Sequence, residues 1–399
     1  MKKNILLSVI TFWFIGCSGG GGSSDINNTT PTEYQEITDD ISNNNTNIDP
    51  IQKEETEKIE DIEEKQKKSE PSVSTIDPFR KYAWHIEYPS DIDFIDKYNI
   101  DGQSSAKISE AWEITQGEGV IVAIIDNNFD VTHEDLRDNI ISSYYSVTKT
   151  SDVSKNLFDI SHGTSTTGLI IASSNSLGSL GVAPKAKIIV IKDNEYISDI
   201  DTIEAFDYAQ RNGAKVINCS WGTNNVSDGV ANKIKKLYDD GITIVFASGN
   251  EANSLDRPWI NDESELDWVI GVGSSNEYNT KSSYSSYGSN IDILAPAGEK
   301  IGVVSTNDLF GDMQDNTNLL NSKYIFFEGT SAASPIVTGI VALMYSVNPN
   351  ITPKQVRDII IDKAQKIGDV AYDSNGWNKL YSYGKIDALA SVLEAKDLN

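Results

Sequence analysis

From about Asp77 onward the sequence predicts an α/β domain, a three-layer open and mostly parallel sheet with helices on both faces. Continuous apolar runs recur at 119–126, 188–191, 216–219, 242–247 and 269–272. Such runs suit strands buried on both faces. Helical stretches alternate with them at 203–211, 231–240 and 353–366, as expected where helices cover a parallel sheet. No internal repeat and no second long hydrophobic span interrupts this pattern, and the length suits one large domain.

The first run ends in Asp126. The carboxyl ends of parallel strands are where open α/β sheets build their sites. A carboxylate buried there needs a partner, whether structural or functional. The chain has only three histidines. His85 follows Trp84 in the approach to the domain, and His133 sits between acidic neighbours on an expected loop. His162 opens Ser161-His162-Gly163-Thr164-Ser165-Thr166-Thr167-Gly168, whose small residues and apolar tail predict a helix packed closely at its start. His162 is therefore the candidate base.

The candidate nucleophile is Ser331, in Gly329-Thr330-Ser331-Ala332-Ala333-Ser334-Pro335, ahead of the apolar stretch 336–347. A serine at a helix start gains an exposed hydroxyl and backbone N–H groups without helical partners. Those donors suit the oxyanion of an acyl-transfer intermediate. Pro335 is expected in the first turn, where a missing N–H costs little.

The chain order Asp126, His162, Ser331 is the subtilisin order of this triad. The blocks Ile124-Ile125-Asp126, His162-Gly163-Thr164 and Gly329 to Pro335 resemble the signature blocks of the subtilase family of serine peptidases. Val182-Ala183-Pro184, Asn218-Cys219-Ser220-Trp221-Gly222, Ala247-Ser248-Gly249-Asn250, Ser285-Ser286-Tyr287-Gly288, Leu294-Ala295-Pro296 and Tyr383-Gly384-Lys385-Ile386-Asp387-Ala388 are similar in the same order. The resemblance implies a subtilisin-like fold and a serine endopeptidase acting on protein or peptide substrates, with no cofactor for catalysis. Ser331 is then the nucleophile, His162 the base and Asp126 its orienting carboxylate. Asn250 is the side-chain oxyanion donor. Ser220, Trp221 and Gly222, with Ala247, Ser248 and Gly249, bind substrate. The resemblance also implies a structural calcium ion held by side-chain oxygens of Asp135 and Asn175 and backbone carbonyls of Ser173, Leu177 and Ser179; a plain surface loop is the alternative. A catalytically silent lipid-anchored binding protein on the same fold, or an esterase-like hydrolase, are the other readings.

Three departures from the family pattern are visible. Asn127-Asn128 follow the aspartate where the family has Ser, Thr or an acidic residue and then Gly; Asn is expected to keep the turn through its tolerance of positive φ. Ser165 stands where a second histidine is common. The stretch 192–198 is shorter than the loop that often walls the peptide cleft. Thr223-Asn224-Asn225 after Gly222 supply no charge, so broad cleavage after apolar or uncharged residues is expected.

Residues 1–16 read as a lipoprotein signal peptide: Met1-Lys2-Lys3, an apolar stretch from Ile5 to Ile15, then Gly16-Cys17. Cys17 is the expected lipid attachment, with an ordinary signal peptide as the alternative. The expected location is the bacterial cell envelope, anchored to the outer membrane or cell surface. Cys219 is expected as a small core residue. Residues 17–75 form an acidic, low-complexity spacer, too poor in large apolar residues for a core or an inhibitory prodomain. The domain is placed at 76–399. The net charge of −26 argues against nucleic-acid partners; a monomer is expected.

Overall fold

In a computed structural model of the chain, residues 77–154, 161–193, 198–308 and 317–398 are described. Cys17, the signal peptide and the spacer lie outside them, as do residues 194–197 of the shortened loop.

Seven parallel strands form the main sheet in the order β2-β3-β1-β4-β5-β6-β7. They are β1 Ile121–Asp126, β2 Ile140–Tyr145, β3 Lys187–Lys192, β4 Val216–Cys219, β5 Thr243–Ala247, β6 Ile270–Ser275 and β7 Ile291–Pro296. The two strands that did not read as apolar runs, β2 and β7, are the sheet's edges. The edge position accounts for the polar content of β2, whereas β7 is buried throughout and its polar residue is held by an ion pair. Ser142 and Ser143 lie in β2, and Asp292 of β7 pairs with Arg357 at 2.8 Å. A separate antiparallel pair, β8 Val303–Thr306 and β9 Tyr324–Phe327, was also unanticipated.

β1 is hydrogen-bonded to β3 on one side and to β4 on the other. Chain progression reverses direction there, so a crevice opens at its carboxyl end. Alternation along β1 feeds two cores. Val122 and Ile124 join the larger, with helices His162–Ile171, Thr330–Val347 and Ala388–Asp397. Ala123 and Ile125 join the smaller, with Phe206, Ile234 and Leu237. Cys219 is buried in that second core as a free thiol.

Helices begin at their caps, ahead of the first periodic apolar residue. Ser198 accepts the Asp201 N–H and starts Asp199–Arg211; Ser227 accepts the Val230 N–H and starts Asp228–Asp239. Thr352 and Gln355 form a capping box before Pro353–Asp362. That helix stops short of Lys366 because Gln365 exchanges backbone hydrogen bonds with Lys385 (2.7 and 2.8 Å).

The helix Thr330–Val347 starts six residues before the apolar stretch, so Pro335 lies in its second turn, not the first. Pro335 cannot donate to the carbonyl of Ser331, four residues back. The Ser220 hydroxyl donates to that carbonyl instead, at 3.1 Å.

Candidate active site

Asp126 ends β1 and is 5% exposed. Its Oδ1 accepts His162 Nδ1 at 2.8 Å and the Asn127 N–H at 2.7 Å, and its Oδ2 accepts the Thr166 hydroxyl at 3.2 Å. A carboxylate can only accept here, so Nδ1 carries the imidazole proton and Nε2 is left as the basic nitrogen. The rings of His162 and Phe327 of β9 meet in a T-shaped contact, with centroids 5.2 Å apart.

The helix bearing His162 approaches closely because its early positions are small. A Cβ on Gly163 would fall 2.6 Å from the Phe129 ring. The Gly163 N–H, an unpaired donor of the helix start, is taken by Asn127 Oδ1 at 3.2 Å. Asn127 thus ties the strand end to the helix through its side chain. Neither Asn127 nor Asn128 has positive φ, which corrects the expectation of a left-handed turn.

The other two histidines do not meet a carboxylate. His133 Nδ1 accepts the Asp135 N–H (3.1 Å), so its Nε2 donates to the Lys323 carbonyl (3.0 Å). His85 is fully buried, and neither ring nitrogen has a partner. Burial alone lowers its pKa to about 3.

Ser331 is the second residue of its helix, and its hydroxyl donates to the Ser220 carbonyl at 3.2 Å. The Thr330 N–H is taken by Asn250 Oδ1 (2.9 Å), and those of Ala332 and Ala333 by the Gly329 carbonyl (2.9 and 3.2 Å). The Ser331 N–H between them remains for a ligand. Gly329 makes the turn into this helix at φ 99°, a conformation that favours glycine.

Asn250 Oδ1 also accepts the Thr330 hydroxyl at 2.9 Å. An N–H donor can face only the amide oxygen, so the flip state is settled and Nδ2 keeps its two hydrogens for the cleft. The Gly249 N–H donates to the same Thr330 hydroxyl (3.1 Å). Asn218 of β4 accepts Ser334 (2.7 Å) and Thr338 (2.9 Å) and donates to Ser220 (3.0 Å), binding the strand end to the serine helix.

Ser220, Trp221, Gly222, Ala247, Ser248, Gly249, Asn250 and Ser331 all line one cleft of about 160 Å³. Asn224, Thr330, Glu251 and Asp262 complete it. Sequence reasoning had not assigned roles in the site to Asn218, Thr330 or Thr166, nor to the two carboxylates. Polar residues at strand and helix starts were the available signal for the first three. Only the tertiary fold brings Glu251 and Asp262 to the cleft.

Among the expected calcium residues, Asp135 contacts Ser173, Ser179 and Asn175, and Leu177 is tied to Asn175. Asp135 is fully buried; its Oδ2 accepts the Ser179 N–H (3.2 Å), while Oδ1 has no partner. Burial pushes its pKa up to about 7. The hydroxyls of Ser179 and Tyr324 are buried without partners as well. The Ser173 N–H donates to the Asp135 carbonyl (3.0 Å), and Asn175 Oδ1 accepts the Leu177 N–H (3.0 Å). Asp77, absent from the expected set, accepts the Asn175 and Ser176 N–H groups (3.1 and 2.8 Å). No group of three or more His, Cys, Asp or Glu gathers as a metal cluster among the described residues. An orphaned carboxylate oxygen among further oxygen atoms nonetheless fits a hard cation that accepts carbonyl ligands.

A doubly wound sheet with an aspartate–histidine pair and a helix-start serine at its carboxyl edge defines a subtilisin-type architecture. The model of the subtilase family matches residues 117–384, two thirds of the chain, and the chain belongs to that family. It is 31% identical over 331 residues to the "Calcium-dependent protease" of Nostoc sp. (73% of this chain, 48% of that protein). It is 32% identical over 267 residues to "Subtilisin DY" of Bacillus licheniformis (65% and 89%). The crystal structure of fervidolysin from Fervidobacterium pennivorans, a keratinolytic enzyme related to subtilisin, superposes with a TM-score of 0.62 at 27% identity, over 71% of this chain and 44% of that one. The chain spans about half the length of the Nostoc relative.

Proposed function

We propose that this protein is a serine endopeptidase, and one observation carries the reading. What supports it is the Asp126–His162 hydrogen bond, which leaves Nε2 as the basic nitrogen, together with a cleft lined by Ser331 and Asn250 in which the Ser331 N–H and Asn250 Nδ2 are unused donors. In this reading the Ser331 hydroxyl turns from the Ser220 carbonyl to His162 Nε2, which takes its proton as Oγ attacks the scissile carbonyl. Asp126 stabilises the imidazolium that forms. The Ser331 N–H and Asn250 Nδ2 receive the oxyanion. His162 then gives its proton to the leaving amine, and water repeats the sequence on the acyl-enzyme.

A fluorophosphonate probe and a casein digest test it. Wild type is expected to label at Ser331 and to cleave casein, and Ser331→Ala to do neither while keeping its fold. Labelling without cleavage of any peptide favours the esterase-like reading. Absence of both favours the silent binding protein. Asn250→Ala is expected to lower kcat about 10²–10³-fold; a change in KM alone assigns Asn250 to binding.

A structural calcium ion is part of the proposal. Two relatives are named calcium-dependent proteases, and Asp135 Oδ1 stands buried without a donor. Asp135 and the Asn175 amide would hold it, with the carbonyls of Ser173, Leu177 and Ser179. Its role is stability, since it binds only the folded loop. We also propose lipid attachment at Cys17 and residence in the bacterial envelope, from the sequence alone. Recovery of Cys17→Ser in the soluble or unprocessed fraction is expected; equal membrane retention of mature wild type and variant refutes it.

A further inference from the structure

The cleft beside Ser331 carries negative charge on its walls. A Cβ on Gly222 would fall 2.6 Å from Asp262 Oδ2, and one on Gly249 would fall 2.5 Å from Glu251 Oε2. Carboxylate oxygens therefore stand directly against both glycine walls. Asp262 is 4% exposed and rigidly placed. Its Oδ1 accepts the Ser264 N–H and hydroxyl (3.0 and 2.6 Å), and its Oδ2 accepts the Asn224 N–H (3.0 Å). Glu251 is exposed, and its Oε2 accepts only the Ser286 hydroxyl at 3.2 Å.

Among the described residues no lysine, arginine or histidine forms an ion pair with either carboxylate, nor with the adjacent Glu263. Glu263 is buried, with both oxygens on Thr223 (2.8 and 2.7 Å), and its pKa is raised by burial and then by the charge of Asp262. Hydrogen bonds from Asn224 and Ser264 offset part of the desolvation of Asp262, but among the described residues no cation balances the charge it shares with Glu263. Here the open side of Asp262 is the substrate cleft. The cleft also offers little to an apolar side chain, since Trp221 and Ala247 are its only sizeable apolar walls.

We propose that the cleft takes a lysine or arginine side chain on the acyl side of the scissile bond (P1), with Asp262 and Glu251 as the specificity-determining residues. This rests on the peptidase reading. It replaces the expectation of uncharged P1 residues, which considered only the segment after Gly222. Glycine at 222 and 249 lets the two carboxylates press against the cleft walls, where a long basic side chain entering the cleft can reach them. Asp262 supplies the stronger contact because it is dry and fixed; Glu251, at the exposed rim, supplies the weaker.

The test is a series of peptide p-nitroanilides that differ only at P1, hydrolysed by the purified full chain. Fluorophosphonate labelling runs in parallel. The expected kcat/KM for Arg or Lys exceeds that for Phe or Leu by about 100-fold. Benzamidine, a small cation, is expected to slow labelling of Ser331. Asp262→Asn is expected to lower the Arg-to-Phe ratio at least tenfold (~10), and Glu251→Gln to lower it less. Equal or faster turnover of Phe or Leu by an enzyme that labels overturns the basic preference and leaves the peptidase reading standing. An unchanged ratio in a folded Asp262→Asn variant overturns the role of Asp262. No turnover of any peptide together with no labelling overturns both readings.

Discussion

Asp126 and Asp135 lie nine positions apart in the sequence, and both are buried. Asp126 receives three hydrogen bonds, one of them from an imidazole. Asp135 receives one hydrogen bond on Oδ2, and its Oδ1 accepts none, although the Tyr324 and Asn175 side chains lie beside the carboxylate. The protein thus completes the first carboxylate from its own atoms and leaves the second incomplete. A buried carboxylate completed by donors can hold its charge and orient a base. One left half-bare costs stability until a cation or a proton arrives. The same residue type, equally buried, thus suits the proposed reacting site in one place and the proposed cation site in the other.

The largest expected effect that tests this contrast is on Asp126. Asp126→Asn is expected to lower kcat about 10⁴-fold, because the amide no longer enforces the Nδ1–H tautomer of His162. Its thermal stability should respond to calcium as the wild type does. Retention of more than a tenth of wild-type kcat, measured on one peptide substrate, removes Asp126 from the reacting set.

His85 offers a third state, a buried titratable group with no partner of either sign. Its folded pKa is about 3 against 6.5 for an ordinary imidazole. Below pH 6.5 the unfolded chain takes up a proton that the folded chain refuses. Stability tied to His85 is therefore complete above pH 6.5 and lost as pH falls from 6.5 towards 3. The loss reaches about 5 kcal/mol at most. His85→Leu should flatten this part of a urea-denaturation pH profile. A profile identical to wild type means that His85 finds a partner in solution.

Chelation bears on Asp135 next. EGTA is expected to cost wild type about 3 kcal/mol, a few degrees in Tm, if calcium was present near 100 times its Kd. Asp135→Asn should start less stable in calcium and lose its response to EGTA. An EGTA-insensitive Tm in wild type first loaded with calcium leaves 173–181 a plain loop.

The smallest effect concerns the outer bond of Asp126. Thr166→Val removes one hydroxyl donor from Oδ2 and should cost about 1 kcal/mol in kcat/KM, a several-fold loss, with the pH profile shifted. An unchanged kcat/KM with only a lower Tm makes Thr166 a packing residue of the histidine helix.

Much of the fold was legible because burial on both sheet faces writes uninterrupted apolar runs. β1, β3, β4, β5 and β6 were all readable this way. β2 was not, since a half-exposed edge strand can hold serines, nor was β7, where Asp292, held by Arg357, interrupts the apolar pattern. Asp126, His162, Ser331 and Asn250 were legible because each sits at a strand end or helix start with a distinctive local string. Local chemistry of that kind is written in consecutive residues.

The sequence by itself therefore determined the layered α/β domain, the family, and the candidate reacting residues, all of which depend on periodicity or on short contiguous motifs. Only the tertiary structure decided that Pro335 hands the Ser331 carbonyl to Ser220, and that Asn127 latches a strand to a helix instead of turning left-handed. It alone carried Asp262 from forty residues away to the wall at Gly222. Contacts between distant segments depend on loop paths and close approach, and no local periodicity encodes them.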